Sequence, residues 1–75
     1  MNKVIAIAYT VKETGDLTLR VLNLEEIGDL HEEVFGQRES FKKEPLDVCE
    51  SILEKMQAKH EIYGDYVAQG IEWKM

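Results

Sequence analysis

The sequence predicts a small α+β domain in which a three-stranded, mainly antiparallel sheet carries two helices on one face. Two segments near the start alternate in hydrophobicity and are separated by a short polar loop. Two segments with apolar residues at helical spacing follow, and a segment rich in β-branched and aromatic residues comes last. We therefore expect one domain over residues 1–75, with the order ββααβ and two layers.

A β-hairpin over residues 3–23 is the first predicted unit. In its first strand, alternate residues share a side: Ile5, Ile7, Tyr9 and Val11 on one, and Val4, Ala6, Ala8 and Thr10 on the other. In its second strand the two sets are Leu17, Leu19 and Val21 against Thr18, Arg20 and Leu22. The loop 12–16 between the strands has hairpin length, and Gly15 can adopt a positive φ there.

The first helix is predicted by its two ends. Asn23 is a typical N-cap residue, and Glu26 three positions later completes a capping box. Gly36 is a natural stop beyond the last apolar residue. The apolar stripe between them consists of Ile27, Leu30, His31, Val34 and Phe35. Gly28 weakens this helix by about 1 kcal/mol relative to alanine, so the helix needs the sheet to support it.

The second helix follows a predicted surface loop over residues 37–44. Pro45 suits its first turn, and Asp47 with Glu50 offers an alternative cap one turn later. The apolar residues recur at helical spacing and form a stripe: Leu46, Val48, Cys49, Ile52, Leu53, Met56 and His60. We expect the helix to break at residues 63–65.

The last predicted strand covers residues 66–74 and has Val67, Ile71 and Trp73 on one face. A helical alternative for this segment stays open. Gly70 predicts a bulge or a close approach of another backbone. The strand is expected to pair with the first strand or with the free edge of the hairpin, and either arrangement leaves an open edge.

The charge of the chain argues against several classes of partner. It has 15 acidic and 9 basic residues and a net charge of −6. Direct binding to nucleic acid or to an anionic membrane is disfavoured, because both depend largely on Lys and Arg. The apolar run at the start is too short for a signal peptide, and no stretch approaches the roughly 20 apolar residues that span a bilayer. A single cysteine fits a reducing compartment, so we expect a cytoplasmic protein.

No catalytic residue, cofactor or metal site is predicted. Cys49 and His60 share a face of the second helix but lie roughly 16 Å apart along its axis, too far for a thiolate–imidazole pair. Cys49 is expected to be a small buried hydrophobe. His31 and His60 are expected at the helix surface or its boundary, and a zinc site would need three or four ligands. The isolated glycines form no phosphate-binding loop.

Two groups of residues are candidates for binding a protein partner. The first is an acidic group on the first helix, away from its apolar stripe: Glu25, Asp29, Glu32 and Glu33. Three roles are open for this group. It is a solvated surface that keeps the protein soluble, a negative surface that docks on a basic partner, or a mimic of the phosphate spacing of nucleic acid. The second group is aromatic: Tyr63, Tyr66 and Trp73. These rings either belong to the core or form an exposed anchor for a partner.

The sequence therefore favours a small non-enzymatic protein-binding module that regulates or inhibits a larger protein, for example one that handles nucleic acid. The alternative is a structural homodimer that associates through a sheet edge or face, since Val4, Ala6 and Ala8 form a flat surface of small residues. A small enzyme is the least favoured class, because a cleft needs more wall than this chain readily builds.

Overall fold

The structure, a computed structural model, describes residues 2–38 and 43–73, and the side-chain environments of 4–38 and 43–71. Its elements confirm the α+β class and the predicted order: β1 (Asn2–Thr10), β2 (Leu17–Leu22), α1 (Leu24–Phe35), α2 (Pro45–Ala58) and β3 (Val67–Trp73). The predicted surface loop 37–44 falls partly outside the described residues. No helix in the described part of the chain is long and apolar enough to cross a membrane.

β1 is the central strand of an antiparallel sheet with the order β2-β1-β3. β3 pairs with residues 2–8 of β1, so the helical alternative for this segment is wrong and the pairing with the first strand is confirmed. The register continues without interruption where Gly70 lies opposite Ile5, so the predicted bulge is absent. A Cβ atom at Gly70 would lie 3.8 Å from Cδ1 of Ile5, which is an ordinary contact distance.

The hairpin between β1 and β2 is confirmed. Two backbone hydrogen bonds close its turn: the Val11 N–H donates to the Asp16 carbonyl at 2.8 Å, and the Gly15 N–H donates to the Val11 carbonyl at 2.7 Å. Gly15 has a φ of 75°, in the left-handed region that favours glycine. The turn therefore fixes the register in which β2 lies beside β1.

α1 begins and ends at the predicted residues. The Asn23 side chain accepts from the Glu26 N–H at 2.8 Å, and the Glu26 carboxylate accepts from the Asn23 N–H at 3.0 Å. Both halves of the capping box are therefore present. Gly36 ends the helix with a φ of 83°. The Val34 carbonyl in the last turn accepts a hydrogen bond from Lys59 Nζ at 2.8 Å, which links the ends of the two helices.

α2 begins with Pro45 in its first turn, as predicted, and ends earlier than predicted. Glu44 is its N-cap residue and Pro45 its first residue, so the alternative cap at Asp47 is wrong. α2 ends at Ala58 rather than at residues 63–65, and His60 adopts a left-handed conformation with a φ of 62°. Histidine adopts this region more readily than most residues. His60 therefore leaves the predicted helical stripe and is exposed.

Ile62, which no predicted pattern identified, belongs to the core. It is 1% exposed and forms an isolated β-bridge with Val11. Beside this bridge, the Lys12 N–H donates to the Glu61 carbonyl at 2.9 Å. The segment after α2 is thus attached to the end of β1, and this attachment determines where α2 stops.

The core lies between one face of the sheet and the two helices. Its buried apolar residues are Ile5, Ile7, Tyr9, Leu22, Ile27, Leu30, Val48, Cys49, Ile52, Leu53 and Ile62. The Cα atoms extend only 15 Å along the shortest axis, which fits one sheet layer and one helix layer. On the other face of the sheet, the large apolar side chains Leu17, Leu19, Val21 and Val67 are exposed.

His31 is part of the buried side of α1. It is 8% exposed, and its ring stacks on Phe35 with centroids 4.4 Å apart. Its Nδ1 lies 2.6 Å from the Gln37 carbonyl oxygen, which can only accept, so Nδ1 carries a proton. The expected surface or boundary position is wrong for His31, because the chain turns at Gly36 and brings Gln37 back over the ring.

Candidate functional site

The face of the sheet that turns away from the helices, called the open face below, is the candidate functional site. Side chains alternate along a strand and directly paired residues share a face, so the register assigns its members. Ala8, for example, pairs with Leu19 on one side and with Val67 on the other. The described residues of the open face are Val4, Ala6, Ala8, Thr10, Leu17, Leu19, Val21, Val67, Gln69 and Ile71.

Large apolar side chains on the open face are unusually accessible. The exposed fractions are 76% for Leu17, 71% for Leu19, 51% for Val21 and 55% for Val67. A single exposed leucine is ordinary on a protein surface, whereas a contiguous apolar patch marks an interaction surface. None of the described open-face residues is charged, although 32% of the residues in the chain are. The open face is therefore a largely apolar patch without a charged member, although the Asp65 carboxylate lies at its end and accepts a hydrogen bond from Thr10 Oγ1 at 3.4 Å.

The open face is uneven, because neighbouring strands carry side chains of different length. Its central strand carries Ala6 and Ala8, whose methyl groups form a shallow depression, called the alanine groove below. Beside the groove, about 4.8 Å away, Leu17, Leu19 and Val21 of β2 form a row of longer side chains, called the β2 ridge below. The predicted surface of small residues is thus uncovered by the helices, and it is grooved rather than flat.

The predicted acidic group lies on the opposite layer of the molecule. Its members are all exposed: Glu25, Asp29, Glu32 and Glu33. Arg38 forms an ion pair with Asp29 and donates to the Glu25 carbonyl at 3.1 Å. The hydrogen bond to Asp29 raises the pKa of the Arg38 guanidinium, and the charge of Glu32 adds to the effect. A Cβ atom at Gly28 would lie 2.9 Å from the Arg38 guanidinium carbon, so glycine gives this arginine its space. One cation therefore offsets part of the acidic charge.

The predicted aromatic group does not form one patch along β3. Tyr63 is 46% exposed, and Lys12 Nζ lies 5.6 Å from the centre of its ring. Tyr66 is half-buried and packs against the core. The backbone of Trp73 pairs at the far end of β3, about 23 Å along the strand from Tyr66. The predicted role of the Trp73 side chain lies outside the described residues.

Cys49 has the environment of a core residue. It is 1% exposed, and burial raises the pKa of its thiol from 9.0 to about 11, with a smaller contribution from the charge of Glu50. The neutral thiol therefore predominates near pH 7. Burial of Cys49 confirms the prediction for this residue. The described residues contain no group of three or more His, Cys, Asp or Glu side chains that could hold a metal ion.

Two shallow clefts lie against the second half of α2. One has a volume of about 260 Å³ and is lined by Phe35, Ser51, Glu54, Lys55 and Ala58. The other has a volume of about 340 Å³, and Lys12, His60 and Tyr63 are among its lining residues. Both volumes are near or below the lower limit for small-molecule sites.

Comparison with known proteins finds no matching family model, no significant match among curated sequences and no significantly similar solved structure. The functional argument therefore depends on the geometry of the open face. The signal for this face was present in β2, where the side with Leu17, Leu19 and Val21 is more apolar than the side with Leu22.

Proposed function

We propose that this protein is a non-enzymatic protein-binding module that binds its partner through the open face. The observation that carries the proposal is the continuous apolar patch, in which Leu17 and Leu19 are 76% and 71% exposed. Apolar side chains of this size gain free energy when they leave water, so a complementary apolar surface is favoured as the partner. Binding of this kind suits a regulator or an inhibitor of a larger protein.

The distribution of charge supports a protein partner rather than nucleic acid. The open face has no charged residue among those described, and the chain as a whole carries a net charge of −6. Phosphate groups would find no cation on the open face and would be repelled by the rest of the molecule. A cytoplasmic location belongs to the same proposal, because a single buried thiol fits a reducing compartment.

The acidic group on α1 has an accessory role in this proposal. Its exposed carboxylates steer a partner whose rim is basic, and such steering changes the association rate more than the affinity. The group lies on the helix layer, so its effect is separable from contact at the open face. Variants of the two surfaces therefore distinguish their roles.

Affinity capture of the tagged chain from its source cells, with nuclease present, tests the proposal. We expect Leu19→Glu to abolish stoichiometric capture of a protein partner, because it places a charge in the apolar patch. The double variant Glu32→Lys, Glu33→Lys is the control and is expected to keep the partner. If the helix variant loses the partner while Leu19→Glu retains it, the acidic group is the binding site and the proposal is wrong.

A further inference from the structure

We infer that, while the protein is free of its larger partner, the open face binds a second copy of this chain in a face-to-face dimer. This inference depends on the proposed function, because it takes the open face to be an interaction surface. Two properties of the open face support it, its relief and its lack of charged side chains, and its size limits the strength of the dimer.

The relief of the open face is complementary to itself. The β2 ridge, formed by Leu17, Leu19 and Val21, lies directly beside the alanine groove. Consider a two-fold axis parallel to the strands that runs between β1 and β2. It places the ridge of each copy over the groove of the other, so that both contacts form at once. Large residues then face small ones across two sheets about 10 Å apart, which is the usual packing of a β-sandwich.

The charge distribution permits this contact. Two copies that each carry a net charge of −6 repel one another in most orientations. The described open-face residues are uncharged and the acidic group lies on the helix layer, so the carboxylate described nearest the contact is that of Asp65 at its end, which accepts a hydrogen bond from Thr10 Oγ1 at 3.4 Å. A basic partner would find no complementary charge on this face. The open face therefore suits an equally uncharged apolar surface, and a second copy provides one.

The size of the open face predicts a reversible dimer. The axis between β1 and β2 overlays these two strands of each copy and leaves β3 beside the contact, so the overlapping area measures roughly 20 Å by 10 Å from strand rise and spacing. With side-chain relief it buries on the order of 300 Å² per copy, or about 600 Å² for the pair, which is the size of a weak, transient contact. We therefore expect monomers at micromolar and dimers towards millimolar concentrations rather than an obligate dimer. Higher ionic strength is expected to strengthen the dimer, because salt screens the repulsion between the copies.

Sedimentation equilibrium of the full chain over this concentration range tests the inference. We expect the wild-type chain to dimerise and Leu19→Glu to weaken the dimer at least about tenfold, because a carboxylate would enter the apolar groove of the other copy. Leu19→Thr retains a strand-forming residue and is expected to weaken the dimer several-fold, which covers the case in which the glutamate variant unfolds. Ser51→Glu adds the same charge at an exposed position on α2 and is expected to change the dissociation constant less than about twofold.

Two results would overturn the inference. A wild-type chain that remains monomeric at millimolar concentration would exclude self-association, and a dimer insensitive to both Leu19 variants would place the interface elsewhere, for example at a strand edge. The affinity capture experiment separates this failure from failure of the proposed function. If the chain is monomeric but captures another protein that Leu19→Glu loses, the open face remains the interaction surface and only the dimer is wrong. If the chain is monomeric and Leu19→Glu captures the same protein, the dimer and the proposed function are both wrong.

Discussion

Separate replacement of Leu22 and Leu19 by alanine compares the two faces of the sheet. Both residues lie on β2 and lose the same atoms, but Leu22 is 1% exposed in the core and Leu19 is 71% exposed on the open face. Truncation of a buried leucine costs about 2–5 kcal/mol, because the surrounding structure collapses only partly into the cavity. This is a large part of the total free energy of unfolding, which is about 4–11 kcal/mol for a domain of 75 residues.

The effect of Leu19→Ala depends on protein concentration. Full burial of a leucine side chain contributes about 1.5–3 kcal/mol, so the buried third of Leu19 accounts for less than about 1 kcal/mol within one copy. At high concentration the wild-type chain gains stability from the dimer, and Leu19→Ala loses much of this gain. The difference in the free energy of unfolding between wild type and Leu19→Ala should therefore grow with protein concentration. The loss caused by Leu22→Ala should be large at every concentration.

Urea unfolding followed by circular dichroism, at micromolar and near-millimolar concentrations, measures both variants. We expect Leu22→Ala to lose more than about 2 kcal/mol at each concentration. At the lower concentration, Leu19→Ala should lose less than about 1 kcal/mol. Equal losses for the two variants at the lower concentration would refute the reasoning, because Leu19 would then be packed inside a single copy.

Four further changes test particular contacts by chemical unfolding. Asn23→Ala removes the capping box and is expected to cost about 1 kcal/mol, whereas Asn23→Ser retains most of the stability; equal losses would count against the cap. Gly36→Ala places alanine at a φ of 83° and is expected to lower the free energy of unfolding by about 1 kcal/mol. Gly70 has no positive φ, so Gly70→Ala is the control and should not show this loss. Ile62→Ala is expected to cost about 2–5 kcal/mol, and a negligible cost would remove Ile62 from the core. The raised pKa of Cys49 means that the folded state holds the thiol proton more tightly than the unfolded state. Its contribution to stability is complete below about pH 9 and is lost as the pH rises through about 11. Stability should therefore fall less steeply over this range in Cys49→Ala, and identical pH profiles would contradict the assignment.

Local chemistry explains why most of the elements could be predicted. The capping box of Asn23 and Glu26 and the stop at Gly36 act within one helical turn, so the ends of α1 follow from residues close together in sequence. The alternation in β1 predicted that Ile5 and Ile7 lie on the same side of the strand, and both are buried. These features need no information about distant parts of the chain.

Long-range contacts explain the errors at the end of α2. Helical periodicity continues to His60, so the pattern predicted a longer helix. The chain instead leaves the helix at Lys59, and Ile62 then reaches Val11 at the end of β1. This bridge joins residues far apart in sequence, and neither segment shows on its own that the other will pair with it.

The candidate site was predicted only in part, for a related reason. The alternation in β1 predicted that Ala6 and Ala8 form one surface of small residues together with Val4. The exposure of Leu17 and Leu19 was not predicted, because the face on which β2 presents these residues depends on its register with β1. Because of this register, the predicted surface of small residues lies beside Leu17, Leu19 and Val21 and forms one larger apolar surface with them.

Methyl-resolved NMR of the full chain over a dilution series tests the central claim most directly. If two copies meet through the open face, the methyl signals of Ala6, Ala8, Leu19 and Val67 shift with concentration, whereas those of core residues such as Ile52 do not. Leu19→Glu should abolish these shifts, and Ser51→Glu should preserve them. Shifts confined to the helix layer, or no shifts up to millimolar concentration, would contradict the claim that the open face binds a second copy.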